Sequence, residues 1–440
     1  MSHLQPRRWP VTASVLVIVT GLPLAGCGSE PATPTTQITE ITFWDDNGGP
    51  ARTPVWQHII AEFQKANPDV KVKYVPVPIA QVQQRYDNAI ASGSLPDAGG
   101  VTTALLAGLA TQKVLEPLDE RIAGSGLDGK LNRQVLNLVK GTAPDNKIYA
   151  VPLSTNIGVF WYRSDWFKAA GLRPPQTWDE FFTDVRRLTD VPHGRYGFTI
   201  RGGAGSIAQM LEVIYGQSGI DRFFDADGQS TLNDPKNVAA LEKLVALYNR
   251  VTPKADVTND YAKMVKQFDG GNIAIMQHNL GSYNDHLKAL PGKFEAIAVP
   301  RPSAGKGRTV LSNPISGIGV FANGRKKDAA FRFAEFAASE QMDAYWSEET
   351  GVIPAHADVV HEGWFKKARH LSMALNVLND PSTTLVQLPY YLPEFNTITK
   401  TNMEPLFQNV LLGDMSAEAF LDRSAAEFTN AQAAYNQRNG

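Results

Sequence analysis

At 440 residues, 43% of them hydrophobic and 20% charged, the chain is long enough for two domains and for a sizeable buried core. Its 42 Lys and Arg nearly balance 44 Asp and Glu, a formal charge of −2, which removes the basic excess that a nucleic-acid partner requires. One cysteine, Cys27, excludes an intrachain disulfide framework.

The N-terminus carries Arg7 and Arg8 and then an apolar stretch over 11–24, which suits a signal-peptide core and is too short to span a bilayer. The stretch closes on Leu24-Ala25-Gly26-Cys27, which resembles the lipobox of bacterial lipoproteins. That resemblance implies cleavage before Cys27, acylation of its thiol and a membrane anchor. Residues 1–26 are therefore expected to be a signal peptide. Residues 27–37, rich in Pro and Thr and without periodicity, are expected to be a lipidated tether.

A strand over 41–44 ends at Asp45, Asp46, Asn47 and Gly48, the place where an α/β sheet carries its ligand loops. In extended chain Asp45 and Asp46 point to opposite sides, so they do not form one carboxylate pair. Trp56, Ile59, Ile60 and Phe63 recur at helical spacing, Asn67-Pro68 stops that helix, and a strand over 70–77 completes a β-α-β unit of a mostly parallel sheet. A helix over 81–90, the Pro96-Asp97 entry to a strand over 98–103, and a helix over 105–115 continue the alternation.

The stretch 147–182, KIYAVPLSTNIGVFWYRSDWFKAAGLRPPQTWDEFF, combines a buried strand with the polar set Ser154, Thr155 and Asn156, and reads as a crossing between two lobes. Ser164 is expected to cap a helix over 165–170 that Gly171 ends, and Thr177 with Glu180 forms a capping box for a helix over 178–188. After a strand over 196–200, Arg201-Gly202-Gly203-Ala204-Gly205-Ser206 opens the next helix. Gly203, Gly205 and Ala208 fit a dinucleotide fingerprint, but no opening β-α-β unit surrounds them, so a helix start or cleft loop is the expectation. Asp225-Ala226-Asp227-Gly228 fails as a calcium loop because Phe223 falls on the first ligand position.

Further on, a strand over 273–276 runs into the polar cluster 277–283, and a strand over 294–299 ends at Pro300, read as a second crossing. A strand over 310–321 is broken by Asn313, Ser316 and Gly317, which lets a ligand approach closely. The run 388–394 is a Pro-flanked aromatic loop containing Tyr390, and the C-terminal third reads as helical.

Catalytic motifs are not evident. His361-Glu362 lacks the second histidine of a zinc protease, and Pro314 stands where a G-x-S-x-G elbow needs its first glycine. A glycoside hydrolase stays open as an alternative, because its two carboxyl groups need share no motif.

The P-x-S/T-x-N strand, the Trp161-Tyr162 pair, the A-G-L-x-x-P-x-T-W-D-E run, the 271–283 cluster and the closing helices resemble the extracellular solute-binding proteins (family 1) of bacterial ABC carbohydrate importers, and are similar to the mycobacterial Usp-type sugar-binding lipoproteins. The resemblance implies an α/β, two-lobe periplasmic-binding-protein-like fold of type II with several hinge crossings. Lobe 1 would comprise 38–152 plus 298–352, and lobe 2 would comprise 153–297 plus 353–440. It implies closure around a carbohydrate, such as an amino sugar or a small oligosaccharide, and delivery to permease subunits. A monomer with a lipid anchor is expected, with no catalytic residue, metal or cofactor. Candidate ligand contacts are Asp45, Asn47, Gly48, Asp97, Thr102, Ser316 and Gly317 from one lobe, and Asn156, Asn279, Tyr283 and Tyr390 from the other. Asp45 or Asp97 would hold an amino group. Glycerophosphodiesters, met by the Arg201 loop, are the runner-up solute.

Overall fold

The computed structural model describes residues 38–50, 52–143, 145–311 and 315–439, so the expected signal peptide and tether, with Cys27, and also Asn313 lie outside the described residues. Twelve strands are described: β1 (Thr39–Asp45), β2 (Val70–Pro76), β3 (Ala98–Thr102), β4 (Val151–Thr155), β5 (Gly158–Arg163), β6 (Tyr196–Thr199), β7 (Ile273–Asn279), β8 (Phe294–Ala298), β9 (Thr309–Leu311), β10 (Ser316–Val320), β11 (Ile353–Pro354) and β12 (Thr384–Val386). They form a six-stranded sheet in the order β11-β4-β10-β3-β1-β2, a four-stranded sheet in the order β6-β7-β5-β8, and a β12-β9 pair.

Each larger sheet anchors its own lobe. Around the first, Ile41, Phe43, Phe63, Phe333 and Trp346 form one core, with the Phe43 and Trp56 rings 4.7 Å apart. Around the second, Phe160, Phe181, Phe198, Phe268 and Phe428 form another, with Phe160 and Phe181 at 5.4 Å. Burying one such ring is worth about 1.5–3 kcal/mol. Each lobe is thus held by its own core, which leaves the links between them free to act as hinges.

Strand register puts the chemistry of each sheet on one edge. In the six-stranded sheet β2 and β3 run parallel to β1, and β10 is antiparallel to both β3 and β4, with Ser316 opposite Thr102 and Ser154. The ends of β1, β3 and β4 and the start of β10 therefore share an edge. In the four-stranded sheet Gly158 pairs with Asn279, Val159 with Ala298 and Thr199 with Met276, so the start of β5 and the ends of β6, β7 and β8 share the corresponding edge. Only Asn156 and Ile157 separate β4 from β5, so the two polar edges adjoin at this link.

Sheet membership moves the lobe limits drawn from sequence. All of β4 belongs to the first sheet, so the limit at 152/153 falls inside a strand of that lobe and the first link lies at 156–157; at 352/353 the strand β11 pairs with β4 while the Ile353 side chain packs in the second core. The strand 294–299 is not a crossing. After it, Trp178 N–H bonds Arg301 O and Arg301 N–H bonds Gln176 O, and β9 then pairs with β12 within the second core. Residues 298–311 thus stay with lobe 2, and the second crossing lies between Leu311 and Ser316. The third follows Ala355, which packs in the first core, and precedes Phe365, which packs in the second.

Local signals hold in detail at the helix Trp178–Arg187, where the Thr177–Glu180 capping box is complete. Ser164 is not a cap: the helix Ser164–Ala169 starts at that residue and Arg163 occupies the N-cap position. Among the described residues no helix is long and apolar enough to cross a membrane.

Candidate functional site

At the end of β1 the two aspartates diverge, as their alternation requires. Asp45 is spent internally, one carboxylate oxygen accepting the Asn47 N–H at 3.1 Å and the other the Tyr74 hydroxyl at 2.8 Å. Asp46, only 5% exposed, accepts the Thr102 N–H, and its Oδ2 has no partner. Burial pushes its carboxyl up to about 6, opposed by Arg52 and assisted by the neighbouring Asp45. A buried carboxylate oxygen without a donor costs free energy that a ligand hydroxyl or ammonium can relieve. The room for it comes from β3: a Cβ on Gly100 would lie 2.9 Å from Asp46 Oδ1.

The remaining first-lobe candidates divide. Gly48 is fixed by close approach, since a Cβ there would meet the Pro76 Cβ at 2.5 Å, and its N–H bonds Val77 O at 2.9 Å, so Asn47-Gly48 forms a turn against β2. Thr102 lies beside Asp46 at the β3 end, and the adjoining Thr103 hydroxyl accepts the Ile315 N–H at 2.8 Å. Ser316 is on the same edge, while Gly317 serves the tight pairing of β10 with β4, its absent Cβ falling 2.7 Å from Val151 O. Asp97 is elsewhere. It precedes β3, at the opposite edge, where its carboxylate accepts the Thr42 N–H at 2.8 Å and lies 3.6 Å from Lys326 Nζ.

Asn156 works as a staple at the link: its Oδ1 accepts the Ile157 N–H at 3.0 Å and the Leu280 N–H at 3.1 Å, tying the crossing to the end of β7. Asn279 Oδ1 accepts the Gly281 N–H at 3.0 Å, and Asn279 O accepts the Trp161 indole N–H at 3.2 Å. Tyr283 is drawn away into packing, stacked on His370 with centroids 3.7 Å apart. Tyr390 leans on Phe395 at 4.7 Å and stands in the field of Glu212, with burial pushing its hydroxyl above the usual range.

Beside Gly158 a cavity of about 70 Å³ opens, lined by Arg201, Gln209, Glu212, Gln277, His278 and Asn279. Sequence reasoning named Asn279 among the candidate contacts and the Arg201 loop for the runner-up solute, and missed Gln209 and Glu212. Arg201 Nε donates to Ala204 O at 2.7 Å, and Gly205, at φ +81°, leaves the space its guanidinium crosses. Gln209 braces this wall, accepting the Arg201 N–H at 2.7 Å and donating to Gln277 O at 3.2 Å. Burial, helped by Arg201 and His286, pulls His278 down to about 3, so it is neutral at physiological pH.

Asp269, His286 and Ser282 have the spacing of a hydrolase triad, at 2.6 Å and 3.0 Å. Ser282 and His286 are fully buried, however, and the serine hydroxyl donates to Asn279 O at 3.3 Å. Buried and bonded in this way, the trio fixes the turn that carries Asn279.

The sequence pattern of the bacterial extracellular solute-binding proteins matches residues 58–373. The chain belongs to that family. It is 28% identical over 397 residues to the mannitol-binding protein of Pseudomonas aeruginosa, covering 83% of this chain and 87% of the relative. It is 24% identical to the sn-glycerol-3-phosphate-binding periplasmic protein UgpB of Salmonella typhimurium, covering 88% and 92% of the two chains. Among solved structures it resembles the sugar-binding protein MalE of Xanthomonas citri, with a TM-score of 0.76 at 20% identity over 91% of this chain and 98% of that one. The fold of this family member is thus the two-lobe, type II periplasmic-binding-protein fold, and the relatives it matches are binding proteins rather than enzymes.

Proposed function

We propose that this family member is the solute-capturing component of an ABC importer, a non-enzymatic monomer that closes its lobes around a carbohydrate or polyol and presents it to permease subunits. The supporting observation is the pair of polar edges joined by the two-residue Asn156-Ile157 link, with the unpartnered Asp46 carboxylate oxygen on one of them. Closure costs little when hinges carry it, and a ligand that bonds both edges favours the closed state by its extra contacts there. Asp46, Thr102 and Ser316 on one side and Arg201, Glu212 and Asn279 on the other are the contacts we assign, with Asn156 as the link between them.

Thermal-shift screening followed by titration calorimetry of mannitol, maltose, chitobiose and sn-glycerophosphocholine tests the reading. A saturable shift with a neutral or amino sugar is expected. Silence towards every sugar and polyol, or turnover of a chromogenic glycoside, would sink it. A second reading, a phosphate-bearing polyol, has support from the likeness to UgpB and from Arg201 on the cleft wall.

The Leu24-Ala25-Gly26-Cys27 sequence supports an extracytoplasmic, lipid-anchored protein, cleaved before Cys27 and tethered by 27–37. Cys27→Ala should move the protein from the membrane fraction to the soluble fraction; unchanged membrane association would remove the anchor from this account.

A further inference from the structure

Resting on the ligand-binding reading above, we infer that the cavity beside Gly158 is a subsite for the hydroxyl groups of an uncharged solute, and that it rejects phosphate. An arginine and a glutamate side chain line the same cavity. Arg201 donates, Glu212 accepts, and both line about 70 Å³ of space. Liquid water occupies about 30 Å³ per molecule, so the space suits a carbon or two with their hydroxyls.

The decisive feature is the carboxylate. A glycine loop, an arginine and a helix start would by themselves favour an anion. Glu212 opposes that preference, because a carboxylate on the cavity wall repels a phosphate seated beside it. Its side chain is only 3% exposed and reaches the cavity because residue 158 is glycine, its carboxylate lying where a Cβ on Gly158 would project. The helix Ser206–Ser218 carries it from below, and the Leu311 N–H, just before the second crossing, donates to its Oε1 at 3.4 Å.

The other lining groups add no positive charge. His278 stays neutral, and Gln209 is consumed in bracing the wall. Asn279 has its Oδ1 occupied by the Gly281 N–H, which leaves its amide N–H groups as donors. A hydroxyl can accept from Arg201 or Asn279 while donating to Glu212. Phosphate oxygens, which only accept, leave Glu212 facing like charge.

The test is titration calorimetry on native protein and Glu212→Gln, with sn-glycerol 3-phosphate set against whichever neutral solute binds tightest in the screen of sugars and polyols. Native protein should bind the neutral solute at least about tenfold more tightly than the phosphate, a gap of about 1.4 kcal/mol. In Glu212→Gln the neutral solute should weaken about tenfold, and the gap should close or reverse. Native preference for the phosphate overturns the inference without any variant. So does an unchanged ratio in a Glu212→Gln protein whose thermal melt remains cooperative, and in that case the carbohydrate reading survives. Failure of every neutral solute in the screen removes the reading and the subsite with it.

Discussion

The two walls of the cleft are built on different electrostatic plans. The lobe 1 wall offers small groups on strand ends and one buried carboxylate, Asp46, fixed by a backbone N–H and short of one donor. The lobe 2 wall carries a guanidinium and a carboxylate together, braced by side-chain amides. An unbalanced buried charge stores free energy that any suitable donor releases, so it should govern affinity across ligands. A balanced pair gains little from charge and much from matching donors to acceptors, so it should govern selection among them.

Asp46→Asn breaks this contrast most severely. Affinity for the bound solute should fall by about 30-fold, the loss of a charge-assisted hydrogen bond worth about 2 kcal/mol. Stability should move the other way. The carboxyl stands at about 6 in the folded protein against an ordinary value of 3.8, so between those pH values the native state holds a proton that the unfolded chain has released. Stability therefore declines as pH rises through that window, and the penalty is complete above about 6. Asn carries no such penalty. At pH 7 the variant should be more stable by about 1–3 kcal/mol, with a flatter profile in urea unfolding from pH 4 to 7. A variant that is both weaker in binding and less stable at pH 7 would mean that Asp46 is structural.

Much of the fold could be read in the chain because its signals are local. The β-α-β start, the Thr177–Glu180 box and the strand into 277–283 each depend on neighbours a few residues away. The crossings were harder. Pro300 ends β8, yet nothing nearby tells that β9 will pair with β12, far along the chain, and so hold 298–311 on lobe 2. The site divided in a similar way. Asp97 precedes its strand, and in a parallel sheet that position alone assigns it to the edge away from ligands. Glu212 and Gln209 did leave a signal, two polar residues at i and i+3 among Ile207, Met210, Leu211, Val213 and Ile214 of a buried helix. A helix apolar on nearly all sides has no solvent face for such a pair, so they must serve the interior or a cleft. The choice between Asp45 and Asp46 had no such signal, because strand alternation separates the two without saying which meets Tyr74.

That choice gives the smallest and sharpest test, since the same change one residue earlier should act in the opposite sense. In Asp45→Asn the amide oxygen can still accept one hydrogen bond, but only one of the two that Asp45 accepts, from the Asn47 N–H and the Tyr74 hydroxyl. The hydroxyl already lies 3.2 Å from the Thr53 hydroxyl, so it keeps a neighbour when the carboxylate is lost. The expected cost is about 1 kcal/mol of stability, read as a lower urea midpoint at unchanged slope. Solute affinity should stay within about twofold, because no oxygen of Asp45 is left to face the cleft. If Asp45→Asn instead lost affinity as Asp46→Asn is expected to, the ligand would have to displace Tyr74. The lobe 1 wall would then present two carboxylates rather than one, and its charge imbalance would be doubled.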